Sequence, residues 1–351
     1  MEQYRIDTNK GIEFGLYSIG EHLIDPMTGK RIPAQQRIHE LIEASQLADE
    51  AGLDVFAVGE SHQNYFTTQA HTVILGAIAQ ATKHIKIASS ATVLSTSDPV
   101  RVYEDFATLD LISGGRAEIV AGRGSRVGAY SLLGYDVQDY EELFEEKMEL
   151  LMKLNKEEFV TWEGQFRAPL KHAGILPQPL HGQMPIWRAV GGPPASAIKA
   201  GRAGVPMMLT TLGGPAINFK QSVDAYRMAA EESGFDPETL PVATTSLFYT
   251  AKDSQDALRD YYPYLNAGMR ALKGSGYPKQ QFTQAIDYRD ALMVGSPEQI
   301  IEKMLYQHEL YNQQRFMAEI DFGGMPMDKV MKNIELIATV IMPAVKKYTA
   351  K

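Results

Sequence analysis

Apolar residues recur along this chain in two alternating rhythms. Short continuous runs rich in Val, Ile, Phe and Ala read as buried strands, and they are separated by longer segments whose apolar positions fall three and four apart, the spacing of a helix with one buried face. The first rhythm predicts strands at 12–18, 53–58, 85–93, 117–121, 184–190, 205–210, 241–250 and 316–320. The second predicts helices at 36–51, 69–82, 99–113, 140–155, 195–203 and 217–233, two more opening at Ser254 and Ser296, and a last one over 327–348. Terminal signals agree with the periodicity. Pro99 and Pro297 stand where a first helical turn tolerates a missing amide hydrogen, Ser296 is a capping residue, and Ser113-Gly114-Gly115 ends its helix. The helix before that stop carries Val102, Phe106, Leu109 and Ile112 as its expected buried face.

Eight strands alternating with helices, with no internal boundary, imply parallel pairing through right-handed crossovers. The expected fold is one domain over 1–351, a (β/α)₈ barrel, with a doubly wound open sheet as the alternative. In a barrel the loops that follow the strands gather on one rim, which would bring His62, Ser90, Arg123, Gly191, Thr210 and Phe322 together. Two segments break the rhythm. Residues 156–183 are rich in Pro and Gly, with a small hairpin expected at Thr161–Arg167, and 260–290 mixes tyrosines with glycine and proline. Excursions at about 163–183 and 260–290 are therefore placed at the rim.

Composition narrows the function classes. Net charge is 34 − 43 = −9 with no basic tract, which argues against a nucleic-acid partner. The chain has no cysteine, so disulfides, thiolate metal sites and a cysteine nucleophile are excluded. No secretory leader and no long apolar run is visible, so a cytoplasmic location without membrane attachment is expected. The histidines show no metal-ligand spacing, and no metal is expected.

Candidate chemistry sits where strands end. Gly122-Arg123-Gly124-Ser125-Arg126 delivers two guanidiniums on a flexible loop, suited to a phosphate, or to an ion pair with a neighbouring acid. Gly191-Gly192-Pro193-Pro194-Ala195-Ser196 joins a strand to a helix start, where free amide hydrogens favour anions, or is a plain turn. Glu60-Ser61-His62 ends the second strand, and His62 is either an acid/base group or a structural residue. Ser89-Ser90-Ala91-Thr92 is a patch of small residues that would admit a flat ring, or ordinary packing. Met207-Met208 and the tyrosines of 260–290 could line an apolar cavity. No Gly-x-Gly-x-x-Gly fingerprint follows a strand, so a nicotinamide site is not supported.

With these residues in place, the chain resembles the bacterial luciferase-like flavin monooxygenase family over nearly its whole length. The likeness is densest in DPVRVYEDFATLDLISGGRAEIVAGRGS and recurs in GGPPASAIKAGRAGVP, GSPEQIIEKM and DFGGMP. What the resemblance implies is a (β/α)₈ barrel binding FMN at the rim, with reduced FMN supplied by a separate reductase. It further implies use of O₂ to oxygenate a small organic substrate, and a homodimer. By motif match, Arg123, Gly124 and Ser125 with Gly191, Gly192 and Ser196 would hold the phosphate, and Gly59, Glu60, Ser90, Ala91 and Thr92 would lie against the flavin. Ser90-Ala91 falls where the family carries a non-prolyl cis peptide. His62 is the acid/base candidate. Two departures stand out: Ser61 replaces the first histidine of the luciferases' Glu-His-His, and Glu141 stands where the luciferase α-subunit has an arginine. Light emission from a long-chain aldehyde is therefore not expected. The alternatives are a deazaflavin-dependent hydride-transfer oxidoreductase and a non-catalytic flavin-binding protein.

Overall fold

The computed structural model describes all 351 residues. In chain order the first elements are β1 (Glu13–Ser18), α1 (Ala34–Glu50), β2 (Val55–Val58), α2 (His71–Ala81), β3 (Lys86–Ser89), β4 (Thr92–Val93) and α3 (Pro99–Ser113). Next come β5 (Ala117–Gly122), α4 (Gly128–Leu133), α5 (Tyr140–Leu154), β6 (Phe159–Trp162), β7 (Leu170–Gly174), β8 (Ile186–Gly191) and α6 (Pro194–Arg202). The remainder is β9 (Met207–Thr210), α7 (Ile217–Glu232), β10 (Val242–Thr250), α8 (Ser254–Lys273), α9 (Lys279–Gln284) and β11 (Met293–Gly295), then α10 (Pro297–Tyr311), β12 (Arg315–Glu319), α11 (Met327–Leu336) and α12 (Met342–Thr349).

Strands β1, β2, β3, β5, β8, β9, β10 and β12 pair in that order, all parallel. Because β12 also pairs with β1, with Arg315 opposite Glu13, the sheet closes on itself. The expected (β/α)₈ barrel is the fold, and the open sheet is excluded.

Local signals act as expected at several ends. The Asp98 carboxylate accepts from the Val100 amide at 2.8 Å, Ser296 caps α10, and Gly114 ends α3 with φ +70°. The structure also departs from the expected elements. The strand read over 85–93 is two pieces, β3 and β4, separated by a cis peptide between Ser90 and Ala91. The hairpin lies wider than Thr161–Arg167, with β6 and β7 pairing antiparallel. Most of 260–290 is helical, in α8 and α9: α8 runs through Pro263 to Lys273 because Tyr261, Tyr264, Leu265 and Met269 bury one helical face. Ile112 is exposed because it falls on the outer face of α3 with Arg101 and Thr108, while Leu109, Asp110 and Ser113 of the same turn are buried. The short β11 and α4 carry too little periodicity to be read, and the last helix is interrupted by a π segment, Ile337–Ile341.

Alternate residues of each barrel strand point inward. On β12 these are Arg315, Met317 and Glu319, and on β1 Glu13, Gly15 and Tyr17. A Cβ on Gly15 would lie 2.3 Å from the Met317 sulfur, so only glycine leaves that side chain room. At the N-terminal ends of the strands the interior is closed by charge. Arg315 is fully buried, bonds both Glu118 oxygens at 2.6 and 3.1 Å, and holds Glu13 at 2.7 Å. Trp187 donates its indole N–H to Glu118 at 3.0 Å and lies under the Arg315 guanidinium. Lys86 pairs with Glu13. This floor fills the barrel interior at that end, and the cavity described next opens at the other.

Candidate active site

At the C-terminal ends of the strands a cavity of about 580 Å³ opens, within the range of small-molecule and cofactor sites. Its wall includes the ends of β1, β5, β8, β9, β10 and β12, and the inner face of α8 through Met269, Leu272 and Lys273. One side is flat and built from small residues, Ser90, Ala91, Gly122, Ala189 and Gly191. The cis Ser90–Ala91 unit is held from both directions: the Ser90 amide donates to Val58 at 3.1 Å, and the Ala91 carbonyl accepts from the Glu60 amide at 3.0 Å. A Cβ on Gly122 would come within 3.0 Å of the Ala91 methyl, so the approach of β5 to this unit depends on glycine.

The loop after β5 is pinned above that surface. Tyr130 donates to the Arg123 carbonyl at 2.7 Å and Tyr140 to the Gly124 carbonyl at 3.2 Å. Gly124 has φ +80°, and a Cβ there would strike Val93 at 2.8 Å. Arg123 is thereby aimed at a ladder of charges on the cavity's edge. Its guanidinium pairs with Glu141; Lys199 bridges Glu141 at 3.1 Å and Glu145 at 3.0 Å; Arg188 grips Glu145 at 2.6 and 2.9 Å. Arg188 Nε also donates to the Ser196 hydroxyl at 3.3 Å. Three cations against two carboxylates leave one net positive charge at this edge. The Glu141 and Glu145 side chains are 45% and 36% exposed, so solvent screens these pairs and an incoming anion can replace them. A Cβ at Gly191 or Gly192 would meet nothing within 4 Å, which leaves open space beside the ladder.

The opposite side of the cavity is acidic and buried. Glu319, 4% exposed, accepts a hydrogen bond from Tyr17 at 2.8 Å through Oε2, while Oε1 has no partner. Behind it lie Glu21, which accepts from the Gly323 amide, and Asp321, which accepts from Ser18 at 2.6 Å. Burial first, then the Asp321 charge, push the Glu319 carboxyl up to about 7 despite the Tyr17 hydrogen bond. Burial and Glu319 together raise Glu21 well above its ordinary value, and burial raises Asp321. Tyr17 is pushed up by burial and by Glu319, so it remains a hydroxyl donor.

The structure brings Glu60, Ser90, Ala91, Arg123, Gly124, Ser125 and Gly191 to this wall. Gly59, Thr92, Gly192 and Ser196 stand just behind it, and Ser196 reaches the charge ladder through Arg188. His62 is off the wall: its Nε2 lies 2.7 Å from Glu60 Oε1. The other Glu60 oxygen accepts from the Val93 amide at 2.7 Å, with buried His71 Nδ1 at 3.8 Å. His62 therefore meets the cavity wall only through Glu60. The tyrosines of 260–290 do not line the cavity, nor does any residue of 163–183; Met208 does. Tyr17, Thr245, Glu319, Arg188, Lys199 and Glu145 went unread in the sequence. One signal for Glu319 was available, since Arg315 and Glu319 are charged residues at inward parity in an otherwise apolar strand.

Comparison with known proteins decides what this rim belongs to. The luciferase-like monooxygenase family matches residues 12–314. The chain belongs to that family. Its members include monooxygenases and other oxidoreductases, and this protein is an enzyme of that class. The oxygenase component of a flavin-dependent trigonelline monooxygenase from Acinetobacter baylyi is 23% identical over 354 residues, 95% of each chain. Monooxygenase RslO1 from Streptomyces bottropensis superposes with a TM-score of 0.82 at 23% identity, over 95% of this chain and 99% of that one. The oxygenating constituent of 3,6-diketocamphane monooxygenase from Pseudomonas putida, a type II Baeyer–Villiger enzyme solved with FMN, superposes at 0.76 with 20% identity, over 95% and 98%. An F420-dependent glucose-6-phosphate dehydrogenase from Amycolatopsis mediterranei is 27% identical over 200 residues, 55% of this chain and 59% of that protein. No helix of this family member is long and apolar enough to cross a membrane.

Proposed function

We propose that this protein is the oxygenase component of a two-component flavin monooxygenase. A separate reductase delivers reduced FMN, and O₂ is used to oxygenate a small organic substrate; a homodimer is the expected assembly, as the family resemblance implies. The observation that carries the reading is the pairing, in one cavity, of a flat small-residue surface at Ser90–Ala91 with a displaceable cationic edge at Arg123. The residues fit the cofactor in kind. Arg123, Lys199, Gly191, Gly192 and Ser196 would hold its phosphate, and Ser90, Ala91 and Gly122 would face its ring. Reduced FMN, when bound, supplies the two electrons that activate O₂. The chain's own part is to orient both reactants and keep water out, and the apolar lining of Met208, Leu212, Leu247, Met269 and Phe322 suits that task.

The similarity to F420-dependent enzymes supports a second reading, hydride transfer with a deazaflavin. Mixing the protein, loaded with reduced FMN, with oxygenated buffer separates the two. The monooxygenase reading expects O₂ uptake and a flavin spectrum that differs from both reduced and oxidised FMN before oxidised FMN appears. Binding of F420 in preference to FMN, with no O₂ uptake, would establish the hydride-transfer reading instead.

A further inference from the structure

We propose that Lys147, a residue of α5 outside the cavity, is a positioning residue for the phosphate anchor: its ammonium clamps the loop between β5 and α5 through the ring of Tyr135, and so holds Arg123 at the cavity's edge. This rests on the reading of Arg123 as the flavin's phosphate anchor. Lys147 is 2% exposed, and its ammonium donates to the Ser95 carbonyl at 2.6 Å, in the helical turn Leu94–Thr96 that follows β4. The same nitrogen lies 4.1 Å from the centre of the Tyr135 ring. From there two hydrogen bonds lead to the anchor. The Tyr135 amide donates to the Tyr130 carbonyl at 2.8 Å, and the Tyr130 hydroxyl donates to the Arg123 carbonyl at 2.7 Å. One buried cation thus ties the turn after β4 to the loop that carries the guanidinium.

A buried ammonium is costly unless it is neutralised. The carboxylates nearby are committed elsewhere. Asp98 caps α3 and pairs with Arg167 at 3.2 Å, while Glu146 accepts from the amides of Gln165, Phe166 and Arg167 at 2.7, 3.0 and 3.1 Å. Lys147 is left with one carbonyl and one aromatic face. Burial pulls it down to about 8, with Asp98 and then Glu146 opposing that pull, so it is charged at neutral pH. A cation over a ring attracts most strongly where water is excluded. Packing alone does not call for a charge here, since a methionine would fill much the same space. The loop needs the hold. Between Ser125 and Gln138 most residues are exposed, Ala129 and Tyr130 being buried, so the segment makes few contacts of its own. Its other tethers are Arg126, stacked on Phe66 at 4.7 Å, and the Tyr140 hydroxyl on the Gly124 carbonyl.

Riboflavin, which lacks the phosphate, is the reference ligand. Anaerobic titrations with reduced FMN and reduced riboflavin give the phosphate's advantage as a ratio of affinities. K147M keeps the length of the side chain without its charge, and should shrink that ratio about tenfold while leaving riboflavin affinity unchanged. Y135L, at a partly exposed position, tests the same contact even if K147M fails to fold, and should match it. Y135F keeps the ring and should keep the wild-type ratio, and K147M/Y135L should be no worse than either single variant. On the flavin-free proteins, trypsin should cut after Arg126 about tenfold faster in K147M and Y135L, with cutting after exposed Arg31, in the loop after β1, unchanged. Equal losses for FMN and riboflavin, a ratio that stays at its wild-type value, or unchanged cutting after Arg126 would overturn the proposal. If wild type binds neither flavin, or R123A keeps the full ratio, the proposed function loses its anchor. Cutting after Arg126 then decides by itself whether Lys147 holds the loop.

Discussion

The two ends of one strand show how this barrel divides its work. At the floor, β12 places Arg315 between Glu13 and Glu118; at the rim, two inward positions later on the same face, it places Glu319 beside Tyr17. All of these side chains are buried, yet their chemistry is opposite. On the floor every charge has a counter-charge. Burial alone would raise the Glu118 carboxyl, but the attraction of Arg315, and then of Lys86, outweighs it and holds the group below its ordinary range. At the rim the neighbours of Glu319 are mostly carboxyls, and the group is pushed up to about 7. Unpartnered atoms follow the same division: Glu319 Oε1, Asp321 Oδ1 and Arg126 Nε lie at the rim, and none of the floor's charged atoms is among them. A satisfied buried network holds a fold together, and an unsatisfied one contributes less to stability.

The contrast can be broken by substitution. R315M leaves Glu118 and Glu13 buried with only Lys86 and the more distant Arg5 to offset them, and should cost about 3–5 kcal/mol in a denaturant titration. Wild-type stability after that change would mean that the floor is not a stabilising network. The next effect concerns pH. A carboxyl whose folded pKa lies above its unfolded value stabilises the fold while protonated. The contribution from Glu319 is complete below about 4.5 and is lost as pH rises through about 7. Unfolding measured from pH 4.5 to 8 should therefore show E319Q losing less stability than wild type across that window, by roughly 2–3 kcal/mol. Glu118 acts with the opposite sign: its contribution is present above the ordinary carboxylate pKa and is lost as pH falls through its lowered value. Parallel pH profiles for E319Q and wild type would remove the distinction between floor and rim.

At the rim's cationic edge the effects should fall on binding and leave stability alone. Lys199 and Arg123 hold Glu141 where an anion would sit, so E141Q should strengthen FMN binding about two- to fivefold, as expected for a solvent-screened pair worth under 1 kcal/mol. Weaker binding by E141Q would assign that carboxylate a direct ligand role.

Much of this architecture is legible along the chain because barrel strands buried on both faces and helices buried on one face have different apolar periods. The rim loops were legible too, since Arg123 and Gly191–Gly192 stand at the ends of strands, and Gly124 marks a place where a side chain would strike Val93. Other features are set by contacts between distant segments. Pro263 inside α8 reads locally as a break, yet Tyr261 and Met269 bury that helix face against the barrel. Glu319 has no local signature beyond its parity with Arg315, and its meaning comes from Tyr17, 302 residues earlier. The Glu141–Lys199 bridge similarly joins α5 to α6, the helices that follow the paired strands β5 and β8.

The most direct test of the central claim is the affinity for reduced FMN of wild type and R123A, measured anaerobically on protein shown to be folded. If the rim cavity is the flavin site and Arg123 its phosphate anchor, wild type binds one FMN per chain and R123A binds about 10–100-fold more weakly, with unchanged stability. Equal affinity in the two proteins would contradict the anchor. Failure of the wild type to bind either FMN or a deazaflavin would contradict the flavin site itself.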